Sequence, residues 1–191
     1  MLGNTSTGAC FSLDRRYRYL LWRIWDPGRG VCNFLMLNPS TADETTNDPT
    51  ITRCEQRARR WGYGGLVVTN LFALGATDPA ALRRAADPVG PENDEAIAAA
   101  ALGATIVIGG WGALGIYRGR SAAVRALLAS LGVALHALAW TKGGEPAHPL
   151  YLSYGCALSR MKSAAPFRRG SPERPGRAHR SGGSRGRRSG M

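Results

Sequence analysis

The chain has 191 residues, enough for one domain with its own core, and 44% of them are hydrophobic. No run approaches the roughly 20 apolar residues of a membrane span, and residues 1–12 lack a basic segment followed by an apolar one, so neither membrane association nor a signal peptide is expected. The net charge of +12 is uneven: residues 160–191 hold ten Lys or Arg and one acid, whereas residues 1–159 hold 15 basic and 12 acidic residues.

The four cysteines, at positions 10, 32, 54 and 156, form no CxxC pair and read as free thiols of a cytoplasmic protein. No metal or cofactor is expected. Residues 1–14 are weakly patterned and expected to be frayed. The segment from Arg16 to Trp25 alternates and is rich in aromatics, which predicts a strand. Asp26-Pro27-Gly28-Arg29-Gly30 is a turn, so the next run, Val31 to Leu37, is expected to be its antiparallel neighbour. That run is almost wholly apolar, as in a strand covered on both faces, and it stops at Asn38-Pro39-Ser40.

Asp48 before Pro49 starts a helix that runs to about Trp61. Leu66 to Phe72 is a second buried strand, containing Thr69-Asn70 at its polar end, so strand, helix and strand form a βαβ unit. A short helix from about Ala76 to Ala86 and an alanine-rich helix from Glu92 to Leu102 follow. Ala104 to Ile108 is a third strand ending in Gly109-Gly110-Trp111-Gly112, and a helix spans roughly Arg118 to Leu131. Val133 to Trp140 is a fourth strand, followed by a loop with His148-Pro149-Leu150-Tyr151 and a last helical turn before Leu158. The pattern predicts a three-layer α/β/α sandwich: a central four-stranded parallel sheet plus an N-terminal antiparallel edge strand, within one domain over residues 15–159. Residues 160–191, rich in Arg, Gly, Ser and Pro, are expected to be a disordered basic tail, either a phosphate-contacting arm or a nonspecific appendage.

Ligands of such sheets bind beyond the carboxyl ends of the strands, which makes those ends the candidate site. Asn38 offers a two-sided hydrogen-bonding amide, although Asn before Pro also fits a helix entry. Pro39 and Ser40 lie beside it, and Asp43 is the nearby group able to act as a general base. Asp48 is a helix cap or a ligand-facing carboxylate. Asn70 would need partners if buried, and a base edge would supply them; a turn-forming Asn is the plain alternative. Gly109 suits close strand-to-helix packing, and Trp111 could offer a stacking face. The Gly-rich stretch is neither a phosphate loop nor a dinucleotide fingerprint. Of three histidines, His136 sits within a strand and His179 in the tail, so His148 is the catalytic candidate with Asn38 and Asp43, and Pro149 and Tyr151 flank the same site.

The ordered stretches Arg-Tyr-Arg-Tyr-Leu-Leu-Trp-Arg, Met-Leu-Asn-Pro-Ser-Thr-Ala-Asp, Asn-Asp-Pro-Thr-Ile-Thr-Arg-Cys, Thr-Asn-Leu-Phe-Ala, Gly-Pro-Glu-Asn-Asp and His-Pro-Leu-Tyr-Leu resemble the bacterial and phage family catalogued as domain of unknown function 1643, over about residues 15–160. More distantly, Leu37-Asn38-Pro39-Ser40, Thr69-Asn70, Ile108-Gly109-Gly110 and His148-Pro149-Leu150 resemble, in order, the motifs of the uracil-DNA glycosylase superfamily. That resemblance implies that Asn38 positions the attacking water, Asn70 reads a base edge and His148 stabilises charge on the departing base. Pro149, Leu150 and Tyr151 would belong to the loop that enters the groove. Ser40 stands where that superfamily has Gly, and Leu150 where it has Ser. The implied partner is nucleic acid or a nucleotide, and the implied activity is recognition or excision of a base. A noncatalytic nucleic-acid-binding module, or an enzyme on free or phage-modified nucleotides, is the alternative.

Overall fold

The computed structural model describes residues 6–76 and 79–161. They form a mixed α/β fold: β1 (Ser6–Phe11), β2 (Arg18–Ile24), β3 (Val31–Met36), α1 (Pro49–Arg60), β4 (Gly65–Asn70), α2 (Pro79–Arg84), α3 (Asn93–Gly103), β5 (Ile106–Gly109), α4 (Arg120–Ser130), β6 (Leu135–Ala137) and β7 (Ser159–Arg160). Short 3-10 segments cover Ala113–Gly119 and Pro149–Tyr151. The seven strands make one mixed sheet in the order β1-β2-β4-β3-β5-β6-β7. Neighbours from β4 to β6 run parallel, while β1–β2, β2–β4 and β6–β7 are antiparallel.

Side chains alternate across β3 as the pleat requires. Cys32, Phe34 and Met36 pack with Ile51, Cys54 and Ala58 of α1. Leu35 points the other way and packs with Leu82, Ile97, Ala101, Val124 and Leu128 of α2, α3 and α4. Helices therefore cover both faces, which explains why β3 reads as a continuous apolar run. Helix α1 starts where Asp48 Oδ1 accepts from the N–H of Ile51 at 2.8 Å, with Pro49 in the first turn. The four cysteines are free; burial drives the Cys32 thiol up to about 12. Among the described residues no helix is long and apolar enough to cross a membrane.

Four expectations need correction. Residues 6–11 are not frayed; they form β1, which pairs with β2 along its length. Ser-Thr-Gly-Ala-Cys-Phe carries little β-propensity of its own, and one buried residue gives no alternating signal. Consequently β2 is not the edge strand. Nor do β2 and β3 pair: β4 lies between them, with Leu21 opposite Val68 and Cys32 opposite Leu66. The turn at residues 26–30 bridges over the start of β4, where the N–H groups of Trp25 and Asp26 both donate to the Gly64 carbonyl at 2.9 Å. A Cβ on Gly64 would stand 1.9 Å from the Asp26 carbonyl oxygen, so only glycine allows this insertion. Arg160, expected to begin the disordered tail, instead lies in β7 and pairs with His136 of β6; the rest of that expected tail, beyond position 161, lies outside the described residues.

Parallel register brings the carboxyl ends of three strands to one edge: Met36 lies opposite Asn70, and Leu35 opposite Gly109. The chain leaving β6 returns to that edge through a turn closed by a bridge between Trp140 and Pro146. It then lays Pro149 over Gly110, where a Cβ would meet Pro149 Cδ at 2.8 Å and Met36 Sδ at 2.9 Å.

Candidate functional site

A cavity of about 290 Å³ opens at this edge, near the lower limit of ligand sites. Asn38, Ser40, Asp48, Asn70, Trp111, His148 and Tyr151 all line it. Pro39, Asp43, Gly109 and Pro149 do not; Pro39 instead lines a neighbouring cavity. Leu150 lines it too, as do Arg18 and Thr50, neither of which was singled out in the sequence.

Asn70 ends β4 and is only 1% exposed. Both polar atoms of its amide, Oδ1 and Nδ2, lack any hydrogen-bond partner among the described residues. Buried amides are otherwise almost always paired, since stranding one costs about 1–3 kcal/mol for each unmet group. The strand end that holds this amide is itself fixed. Asn93 at the start of α3 donates from Nδ2 to the carbonyls of Asn70 (3.0 Å) and Leu71 (3.1 Å). Arg120 donates to the Leu71 carbonyl at 2.7 Å and pairs with Asp94. Asn93 belongs to the Gly-Pro-Glu-Asn-Asp stretch of the family resemblance, yet it was not a site candidate, because a helix start gives a polar residue an ordinary reason to be there.

No helix follows Asn38-Pro39, so Asn38 is not a helix entry. Its Nδ2 donates to the carbonyls of Pro39 (2.9 Å) and Ala76 (2.6 Å). Both acceptors fix the amide orientation, leaving Oδ1 as the atom available to a ligand or water. Asp43 serves its own turn: Oδ1 accepts from the N–H groups of Thr46 (2.7 Å) and Thr45 (2.9 Å), which hold its carboxyl below the usual range. It is therefore a weak base. Asp48 is the acid that reaches the cavity, and it does so while capping α1 through one oxygen.

His148 begins the 3-10 turn. Its Nδ1 accepts from the N–H of Leu150 at 3.3 Å, which assigns the ring proton to Nε2. Burial lowers its pKa below 6.5, with the Asp48 carboxylate opposing the shift. The ring lies against Tyr151, centroids 5.5 Å apart. Tyr151 itself is 82% exposed at the cavity mouth. The loop carrying both is tied to α1, where Arg57 donates to the carbonyls of Leu152 (2.8 Å) and Ser153 (2.9 Å). Because the folded His148 resists the proton that the unfolded chain accepts near 6.5, the stability from its burial is present above that pH and is lost as pH falls below it. Ring-nitrogen NMR is expected to show a midpoint below 6.5 and an Nε2–H neutral tautomer. A midpoint at or above 6.5, or an Nδ1–H ring, would contradict this reading of the site.

Trp111 lines the cavity as a buried wall rather than a free stacking platform. Its Nε1 donates to Glu145 at 2.5 Å, and Glu145 also pairs with Arg125 at 2.9 Å. Glu145 is a second residue that sequence reading missed, because it lies in a Gly- and Pro-rich loop with no periodicity.

Residues 18–150 match the sequence profile of a family described as a protein of unknown function, DUF1643. No curated protein and no solved structure matches the chain.

Proposed function

The chain belongs to the DUF1643 family, and from the cavity at its strand ends we propose that it recognises a nucleobase and hydrolyses the bond between that base and its sugar. The fold is read here as a three-layer α/β/α sandwich around a four-stranded parallel core, of the kind used by the uracil-DNA glycosylase superfamily. One observation carries the proposal: the buried Asn70 amide offers an unmatched donor and an unmatched acceptor to a cavity. A planar base edge presents that complementary pair. The base would be extruded from its stack to enter.

In this reading Asn38 Oδ1 orients a water molecule and Asp48 takes its proton. The water oxygen bonds to the sugar C1′ as the glycosidic bond breaks, and the bonding pair leaves with the base. His148, neutral and carrying its proton on Nε2, donates a hydrogen bond to the charge that develops on the base. A neutral imidazole suits that role because it stabilises an anion without first having to be charged in a half-buried site.

The test is base release from oligonucleotides carrying uracil, mismatched thymine or modified bases. Wild type is expected to release at least one of them. Asn38→Ala and His148→Ala are each expected to slow release by about 10²–10⁴-fold. No release from any substrate by the wild type would remove the catalytic claim.

A second reading, a noncatalytic nucleic-acid-binding module, is favoured by Leu150, which places an apolar side chain on the cavity wall where the superfamily has a Ser. Oligonucleotide binding that survives Asn38→Ala, without release of any base, would select it.

A further inference from the structure

Next to the strand-end cavity lies a larger one of about 460 Å³, lined by Phe11, Arg15, Arg16, Arg18, Pro39, Ser40 and Ala42 together with small residues of the following loop and α2. Three of those side chains are cationic and none is acidic. The two cavities adjoin, since Arg18, Ser40 and Ala76 line both.

The arginines differ in how their charge is used. Arg15 is engaged by Glu44, with an oxygen of its carboxylate at 2.7 Å. Arg18, at the boundary between the cavities, is 2% exposed. Its Nη1 donates to the Ala42 carbonyl at 2.5 Å, but its Nε is buried with no partner, and no carboxylate pairs with it among the described residues. Arg16 is exposed, its guanidinium lies over the Tyr17 ring, 5.5 Å from the centroid, and its charge acts on the exposed Asp14 carboxylate through space. The charges of Asp48 and Asp43 act on Arg18 through space without direct contact, and a buried guanidinium with no carboxylate bonded to it is rare, because desolvating its charge is expensive unless something compensates. Ser40 adds a hydroxyl at the shared wall.

We infer that Arg16 and Arg18 form a phosphate subsite, so that the ligand is a nucleotide with its base in the strand-end cavity and an adjoining phosphate in the arginine-lined one. The inference rests on the base-recognition reading for the nucleotide, while the anion site stands on the arginines alone. A guanidinium fork matches phosphate oxygens in a way that Lys does not. The monoester of a free nucleotide and the diester within a strand present the same oxygens to these side chains.

Calorimetric titration of the full chain tests this with inorganic phosphate, with the common deoxynucleosides and deoxyuridine, and with their 5′-monophosphates. Inorganic phosphate is expected to bind. At least one monophosphate is expected to bind about tenfold or more tighter than its nucleoside, the scale of one charge-assisted contact. Arg16→Ala, an exposed position whose loss leaves the core intact, is expected to weaken phosphate and erase the monophosphate advantage. Arg18→Lys keeps the charge but not the fork and is expected to weaken both. Arg60→Ala, outside both cavities, serves as a control for net charge and is expected to change neither.

Phosphate binding that depends on Arg16 while no nucleoside binds would support the anion site and remove the base reading. Nucleoside binding without any monophosphate advantage would keep the base reading and overturn this inference. So would phosphate binding that Arg16→Ala leaves unchanged. Displacement of phosphate by a single-stranded oligomer but not by mononucleotides would support the site and assign the phosphate to a strand; the reverse would support it and assign a free nucleotide.

Discussion

Arg23→Met is expected to lower the unfolding free energy by about 3 kcal/mol or more and to loosen the loop that forms one wall of the candidate site. Arg23 projects from β2 and is only 5% exposed. Its guanidinium donates to the carbonyls of Asp43 (2.8 Å), Thr46 (3.2 Å) and Glu44 (3.2 Å), to the Trp22 carbonyl (2.8 Å) and to Asn47 Oδ1 (2.9 Å). One side chain thus gathers the carbonyls of a loop that has no regular structure of its own. Burial lowers the pKa of Arg23, yet the guanidinium stays charged near neutrality, so each bond is charge-assisted. Methionine would fill the volume and supply no donors. Lysine would place a single nitrogen where a planar fork spans several acceptors, so Arg23→Lys is expected to recover only part of the loss. Arg29→Met is the comparison: Arg29 pairs with Asp26 at 3.1 Å on the surface, and about 0.5 kcal/mol or less should be lost. Urea unfolding measures all three, and amide exchange at Thr45 and Thr46 reports the loop. An Arg23→Met midpoint equal to wild type would show that the loop does not depend on this anchor.

Glu145→Leu is expected to cost about 3–5 kcal/mol, because it strands buried partners rather than removing them. The Glu145 carboxylate accepts from Trp111 Nε1 (2.5 Å), from Ser121 Oγ (3.3 Å) and from Arg125 Nη2 (2.9 Å). Leucine leaves the indole N–H without an acceptor and Arg125 without its counter-charge. Glu145→Gln keeps an oxygen for Trp111 and should lose less. The combined Glu145→Leu, Arg125→Leu chain is expected to recover part of the single-variant loss, since no guanidinium then lacks its partner. Denaturant unfolding of wild type, Glu145→Leu, Arg125→Leu and the combined chain closes the cycle. Additive losses would show that the two residues act independently. The consequence extends to the cavity: Trp111 forms part of its wall, so a ring released from Glu145 would alter the space available to a ligand.

Both anchors show why part of the site was legible and part was not. Asn38, Asn70 and His148 stood out because each interrupts an apolar run or follows a strand, and strand ends of parallel sheets are where ligands bind. Asp43 stood out for the same reason, but its backbone closes a tight turn that consumes its carboxylate. Asp48 looked like a helix cap and is one, and it reaches the cavity as well. Arg18 and Arg23 sit in a strand whose alternation suggests an ordinary half-solvated face. Nothing local distinguishes an arginine that snorkels to water from one whose head group is buried on loop carbonyls.

What the sequence by itself determined is the succession of elements. The apolar run of β3, the Asp48-Pro49 start of α1, the alanine-rich α3 and the glycine-terminated β5 all rest on local propensity and periodicity. The family assignment follows from the same local stretches. What only the tertiary structure decided is the pairing. Strand β4 slips between β2 and β3 because Gly64 leaves room for it. Strand β1 exists because β2 offers it an edge. The cavity depends on residues as distant in the chain as Arg18 and Tyr151 meeting at one rim. Hydrogen-bond partners across a sheet are chosen by the whole core, and no window of the chain contains that information.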